Sequence, residues 1–244
     1  MAAVQLVMFD LAGTTVDDTV SGLPLVAVVM KDAFKTHGID IEAETVNEFR
    51  GLEKREAIRQ LFVKTQGRDP SSEVVDRIFQ TFKETLTTYL SSIKKEIPGT
   101  TATFKYLKSK GIKIAVGSGF PHSVVESIVK TLGWSGLLDY VSSSEKEGHG
   151  RPHPAMIDAA VRACQVRDPK GVVKVGDSKA DVEEGKNAGC WTVAVLTGTQ
   201  DTQTLKAANP DFVIASVMDL PSVLKNIEGK KVMNKGFRFT NEEK

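Results

Sequence analysis

Three times in this chain a short apolar run ends abruptly on a polar residue. Val4-Gln-Leu-Val-Met-Phe stops at Asp10, Ile112-Lys-Ile-Ala-Val-Gly at Ser118, and Val172-Val-Lys-Val-Gly at Asp177. Runs this short and this rich in β-branched residues read as buried strands. Helical spacing fills the stretches 100–110, 121–132, 153–164 and 179–188, with further strands near Leu138–Val141 and at Trp191–Leu196. Strands alternating with helices of about ten to fifteen residues build βαβ units, and hence an α/β fold with a doubly wound parallel sheet. In such sheets ligands bind beyond the carboxyl ends of the strands, which is where Asp10, Ser118 and Asp177 fall.

One long stretch departs from this alternation. Apolar residues recur at helical spacing in Val26, Val29, Met30, Ala33 and Phe34, and again in Val74, Val75, Ile78, Phe79, Phe82, Leu86 and Leu90. Gly38, Gly51 and Gly67-Arg-Asp-Pro70 punctuate these helices. The pattern predicts an all-helical cap over residues 17–94, inserted into a core made of 1–16 and 95–228. From 229 to 244 the periodicity fades, and a flexible tail is expected.

Composition excludes several function classes. With 32 basic and 31 acidic residues the net charge is +1, which lacks the basic face a nucleic-acid binder needs to displace counterions. The most apolar stretch, Leu23–Met30, contains Pro24 and is too short to span a bilayer. The start, Met1-Ala-Ala-Val, lacks the charged and long apolar regions of a secretory signal. Two cysteines, Cys164 and Cys190, form no disulfide framework and fit a reducing compartment. A cytoplasmic enzyme acting on a small molecule, without nucleic-acid or membrane partners, is the expectation.

Four places carry residue types suited to chemistry. Asp10-Leu-Ala-Gly-Thr-Thr-Val-Asp17 offers a carboxylate, a glycine for a tight turn, and hydroxyls at Thr14 and Thr15 near an anion. Asp177 and Asp181 stand four apart across a strand-to-helix turn and suit a hard cation such as Mg²⁺; a helix cap with a dipole-complementing Asp would look the same. Gly117-Ser-Gly119 can cradle a phosphate at a helix N-terminus or simply cap it. Arg151, in Gly148-His-Gly-Arg-Pro-His-Pro154, can neutralise a phosphoryl group or lie on the surface.

Together and in this order, these motifs resemble those of the haloacid dehalogenase superfamily, from Val4 to about Leu224. The resemblance implies that Asp10 is a nucleophile forming an aspartyl-phosphate. Ser118 would bind phosphoryl oxygens, helped by Thr14 and Gly119, with Arg151 as the basic residue. Mg²⁺ would be held by Asp10, the Ala12 carbonyl, Asp177 and Asp181. Phosphoryl transfer is mainly positioning and charge neutralisation, which such a set supplies.

Phosphatases of the superfamily usually carry a second Asp two residues after the nucleophile, where this chain has Ala12. Phosphonatases, the phosphonoacetaldehyde hydrolases, also read Asp-x-Ala-Gly-Thr-Thr and share an arginine at the position of Arg151. Lys174-Val-Gly-Asp-Ser-Lys-Ala-Asp and the residues beyond it are similar to theirs. The subgroup labelled phosphonatase-like hydrolases shares Asp-Leu-Ala-Gly-Thr-Thr-Val-Asp and Ser-Gly-Phe. In phosphonatases a cap lysine forms a Schiff base with the substrate aldehyde, and Gly51-Leu-Glu-Lys54 lines up with their Gly-Leu-x-Lys. Lys54 would then be an amine whose pKa is lowered by burial or by nearby cations such as Arg50 and Arg55. Two positions differ: Ala57 stands where the family has His, and Arg50 where it has Met. By analogy the apolar helix Leu23–Phe34 would form a homodimer surface.

The leading expectation is a Mg²⁺-dependent hydrolase of a small phosphonate, favoured by Ala12, Arg151 and Lys54. A phosphatase of a small phosphate ester such as phosphoglycolate is the alternative, favoured by Ala57 and Arg50. A non-catalytic phosphometabolite-binding protein is the third.

Overall fold

The computed structural model describes residues 4–89, 93–198 and 200–236. Strand β1 (Leu6–Phe9) is followed by the short β2 (Val16–Asp17) and a small hairpin of β3 (Thr19–Val20) and β4 (Leu23–Pro24). Four helices come next: α1 (Leu25–Thr36), α2 (Ala43–Glu48), α3 (Lys54–Gln66) and α4 (Ser72–Tyr89). The chain returns through β5 (Lys95–Glu96), which pairs antiparallel with β2. The remainder alternates as α5 (Thr100–Ser109), β6 (Lys113–Ser118), α6 (His122–Thr131), β7 (Tyr140–Ser143), α7 (Ser144–Glu147), α8 (Ala155–Ala163), β8 (Val172–Gly176), α9 (Lys179–Asn187) and β9 (Trp191–Val195). It closes with α10 (Thr202–Ala207), β10 (Phe212–Ile214) and α11 (Leu220–Gly236).

Six strands form one sheet in the order β10-β9-β8-β1-β6-β7, and every pairing in it is parallel. β1 is apolar throughout because both of its faces are covered, as parallel central strands require. Val7 and Phe9 pack into the larger core cluster, while Leu6 and Met8 point the other way, onto Met156, Ile157 and Ala160 of α8. Phe104 joins the first face, its ring centroid 5.1 Å from those of both Phe9 and Trp134. The order reverses at β1, with β8 on one side and β6 on the other. Phe9 is in register with both Val116 and Val175, so Asp10, Ser118 and Asp177 emerge together at one edge of the sheet.

The structure corrects several expectations. The inserted segment is not all-helical, since it begins with the β3–β4 hairpin and is closed off by the β2–β5 ribbon. Most apolar residues of α1 are buried where it packs on α4 and α2, while Val28 is half-buried and Leu23, just before the helix, is exposed. The strand expected near 138–141 is displaced to 140–143, because the Leu137 and Leu138 N–H groups turn back to the Trp134 carbonyl. Beyond residue 229, where a flexible tail is expected, α11 continues to Gly236, in a stretch whose Lys230, Lys231 and Met233 are good helix formers. Residues 237–244 lie outside the described residues. No helix among those described is long and apolar enough to cross a membrane.

Candidate active site

The turn after β1 is held by its own backbone. The Leu11 carbonyl accepts from the Thr14, Thr15 and Val16 N–H groups, and the Thr15 hydroxyl donates to the Asp10 carbonyl at 2.8 Å. Gly13 sits at φ +83°, and a Cβ there would lie 2.7 Å from Asp177 Oδ2. Only glycine lets the two strand-end loops approach this closely. The Thr14 hydroxyl uses that approach to donate to Asp177 Oδ1 at 3.1 Å. Ser118, at the end of β6, is buried and accepts the Phe120 N–H.

Asp181 combines the two roles open to it in the sequence. With Ser178 it forms a capping box at the start of α9. Its Oδ1 also lies 3.0 Å from Arg151 Nε and 2.9 Å from Lys174 Nζ. Arg151 is not a surface residue. It is 4% exposed, with Nη2 2.7 Å from Asp10 Oδ1 and Nε 3.0 Å from Glu184 Oε2. It also donates to the carbonyls of Gly117 at 2.7 Å and Gly51 at 3.3 Å, tying the inserted segment to the sheet edge.

Two pairs of partners were not read from the sequence. Lys174 and Glu184, 3.0 Å apart and buried, complete the network under Arg151. A lone lysine inside Val172-Val-Lys-Val was the available signal, because a cation in a buried strand demands a counter-charge. Asp18, which binds Arg50 at 3.1 Å, carried no such signal.

From the inserted segment, Arg50, Gly51 and Lys54 reach a pocket also lined by Asp10, Ala12, Ser118, Gly119, Arg151 and Asp177. The structure therefore brings together the expected site residues except Arg55, which turns away to Asp76 and the Phe79 ring, and Thr14 and Asp181. The latter two lie just behind the lining, against Asp177 and Arg151. About 20 Å³ is free in the pocket, room for a single water. Lys54 is buried, with Nζ 3.3 Å from the Leu52 carbonyl and 5.7 Å from the centre of the Phe120 ring.

Buried charge dominates the site. Five carboxylates (Asp10, Asp18, Asp177, Asp181 and Glu184) face four cations (Arg50, Lys54, Arg151 and Lys174), all of them buried. Burial, helped by the Arg151 charge, lowers the Lys54 amine to about 8, so a usable fraction is neutral near physiological pH. Burial raises the Asp177 carboxyl, with Asp10 and Asp181 adding to it against Arg50. Burial pushes Asp181 upward too, but Arg151, Lys174 and the Ser178 hydroxyl outweigh it and hold it below the usual range.

Asp10, Asp177 and Asp181 each present a carboxylate oxygen within 4.8 Å of the others. Asp177 Oδ2 and Asp181 Oδ1 are engaged only through ion pairs, the first with Arg50 Nε at 3.3 Å and the second with Arg151 Nε and Lys174 Nζ, and neither accepts a well-aligned hydrogen bond among the described residues. An all-oxygen set with spare buried lone pairs fits a hard divalent cation.

Over residues 7–195 the sequence matches the haloacid dehalogenase-like hydrolase family. The phosphonoacetaldehyde hydrolase of Latilactobacillus sakei is 30% identical over 261 residues, covering 92% of this chain and 96% of that protein. That of Bordetella pertussis is 31% identical over 257 residues, covering 92% of each. Among solved structures, a phosphonoacetaldehyde hydrolase-like protein from Oleispira antarctica superimposes with a TM-score of 0.83 at 24% identity, covering 93% of this chain and 94% of its own. A predicted phosphoglycolate phosphatase from Haemophilus somnus 129PT gives 0.76 at 22% identity, covering 91% and 99%. These two likenesses establish the fold.

Proposed function

The chain belongs to the haloacid dehalogenase-like hydrolases, and we propose that within them it cleaves the P–C bond of a phosphonoaldehyde of the phosphonoacetaldehyde type. The observation that carries this reading is Lys54: a buried amine, lowered to about 8, lining one small pocket with Asp10. Its relatives named phosphonoacetaldehyde hydrolase, at 30 and 31% identity, support it.

The neutral Lys54 amine attacks the aldehyde carbon, and loss of water leaves an iminium. The Asp10 carboxylate then attacks phosphorus, and the P–C electron pair flows into the iminium to give an enamine. No alkoxide leaves in this step, so no acid is needed at Ala12, where an ester phosphatase would profit from one. Protonation of the enamine at carbon and hydrolysis of the imine free acetaldehyde and Lys54. A second water opens the Asp10 acyl-phosphate to give phosphate.

Ser118 and the Gly119 region would hold the phosphoryl oxygens, Thr14 would steady Asp177 from behind the lining, and Arg151 would neutralise the phosphoryl group while orienting Asp10. Gly51 would position the Lys54 turn through its bond to Arg151. Asp10, Asp177, Asp181 and the Ala12 carbonyl would hold Mg²⁺, which supplies further charge neutralisation when bound. Because the pocket as it stands has room for one water only, residues 17–94 would act as a cap that opens at the β2–β5 ribbon to admit substrate.

Sodium borohydride added during turnover of phosphonoacetaldehyde with Mg²⁺ tests the reading. It should reduce the iminium and leave a covalent adduct on Lys54, detectable by peptide mass mapping. Ala57, buried where the family carries His, favours a second reading as a small-ester phosphatase. That activity would release phosphate from phosphoglycolate without any adduct.

A further inference from the structure

Arg50 lies in the loop between α2 and α3, on the inserted segment, yet its guanidinium reaches the sheet edge. Nη2 donates to the Ala12 carbonyl at 3.0 Å, and Nε lies 3.3 Å from Asp177 Oδ2. Both oxygens belong to the set assigned above to the divalent cation. The same Nη2 also donates to Asp18 Oδ1 at 3.1 Å, and Asp18 is outside that set. Arg50 is 6% exposed.

A divalent cation on these two oxygens and a guanidinium that bridges the same two would repel each other at short range. Magnesium binds oxygen ligands at about 2.0–2.1 Å and tolerates little distortion. A guanidinium on the same carbonyl and carboxylate would face its double charge within a few ångström, in a site with almost no water to screen the repulsion.

The unpaired atoms beside Arg50 show where the guanidinium can go. Arg50 Nη1 and Asp18 Oδ2 are both buried and both lack a hydrogen-bond partner among the described residues. A guanidinium that released Ala12 and Asp177 could satisfy both by pairing with Asp18 through two parallel bonds, the strongest arginine–carboxylate geometry.

We propose that Arg50 is a built-in competitor of the divalent cation, holding the Ala12 carbonyl and Asp177 when the metal is out and retreating onto Asp18 when it is in. The inference rests on the assignment of the metal site made above. Because Arg50 is carried by the inserted segment, metal loading and the position of that segment are linked. The observed metal affinity is reduced by the fraction of molecules in which Arg50 has withdrawn.

The test is calorimetric titration of Mg²⁺ into the metal-free full-length protein, comparing wild type with Arg50→Met and Arg50→Gln. Circular dichroism establishes that each is folded, and if Arg50→Met does not fold, Arg50→Gln carries the comparison. Both variants should bind Mg²⁺ more tightly than wild type, by about 5- to 150-fold, the ordinary span of a coupling between two binding events. Mg²⁺ should also raise their unfolding temperatures more than it raises that of wild type. Unchanged or weaker binding in the folded variants, with Asp177→Asn still abolishing it, overturns the competition. If Asp177→Asn leaves Mg²⁺ binding intact, the metal-site assignment itself is wrong, and the competition falls with it.

Discussion

Arg151 Nη2 and Asp10 Oδ1 lie 2.7 Å apart at the end of the central strand, with Arg151 4% exposed. The same guanidinium reaches Glu184 and Asp181 through Nε and the Gly51 and Gly117 carbonyls through its terminal nitrogens. A lysine would keep the charge but not this forked reach. Arg151→Lys should therefore lower kcat/KM about 10²–10³-fold, as losing one electrostatic anchor of a transition state does. Steady-state kinetics on the folded variant would check it.

Lys174 and Glu184 meet at 3.0 Å beneath the site, with Lys174 also 2.9 Å from Asp181. Removing one member of a buried ion cluster leaves charge without compensation. Lys174→Met is expected to cost about 3–5 kcal/mol in urea unfolding. The double variant Lys174→Met, Glu184→Gln should recover part of that loss.

Much of the sheet was legible because each strand of β1, β6 and β8 is a short apolar run ended by Asp10, Ser118 or Asp177. Burial on both faces writes itself as continuous hydrophobicity, and register then decides which residues share an edge. Arg50 was visible only as an added positive charge. Its partners Asp18, Asp177 and Ala12 are 32, 127 and 38 positions away along the chain, and no spacing rule connects them. The Arg151 network was half legible: the arginine stood out in its Gly/Pro-rich loop, whereas Glu184 looked like any helix-surface carboxylate. Beyond Leu196, α10 and β10 were not delineated, since β10 is three half-buried residues without a distinct apolar run.

Lys54 makes the protein's stability depend on pH. Its folded value of about 8 lies below the ordinary 10.5, so between these limits the unfolded chain binds more protons. Stability should rise as pH rises from 8 to 10.5, by about 3 kcal/mol from this group. Below pH 8 the full cost of burying the charged amine is present, so Lys54→Met should be the more stable protein at pH 7. Above 10.5 that advantage should be gone. Thermal unfolding of both proteins across this range provides the check. For catalysis the sign is parallel: kcat/KM should climb to a plateau as the amine loses its proton near pH 8.

Gly198 packs against Asp177, and a Cβ at that position would fall 1.9 Å from Oδ2. Gly198→Ala must push the carboxylate aside or move the loop. A displacement of about 1 Å at a catalytic group costs roughly 10²-fold, so kcat/KM should fall by that order. The stability loss in urea unfolding should stay within the ~1–3 kcal/mol typical of overpacking.

P–C cleavage through Lys54 is tested most directly by its two products. Acetaldehyde and phosphate should be measured together during reaction with phosphonoacetaldehyde and Mg²⁺, for wild type and Lys54→Arg. The expected result is equimolar release of both products by wild type and none by the folded variant. Equal rates in the two proteins, or turnover of phosphoglycolate but not of phosphonoacetaldehyde, would contradict it.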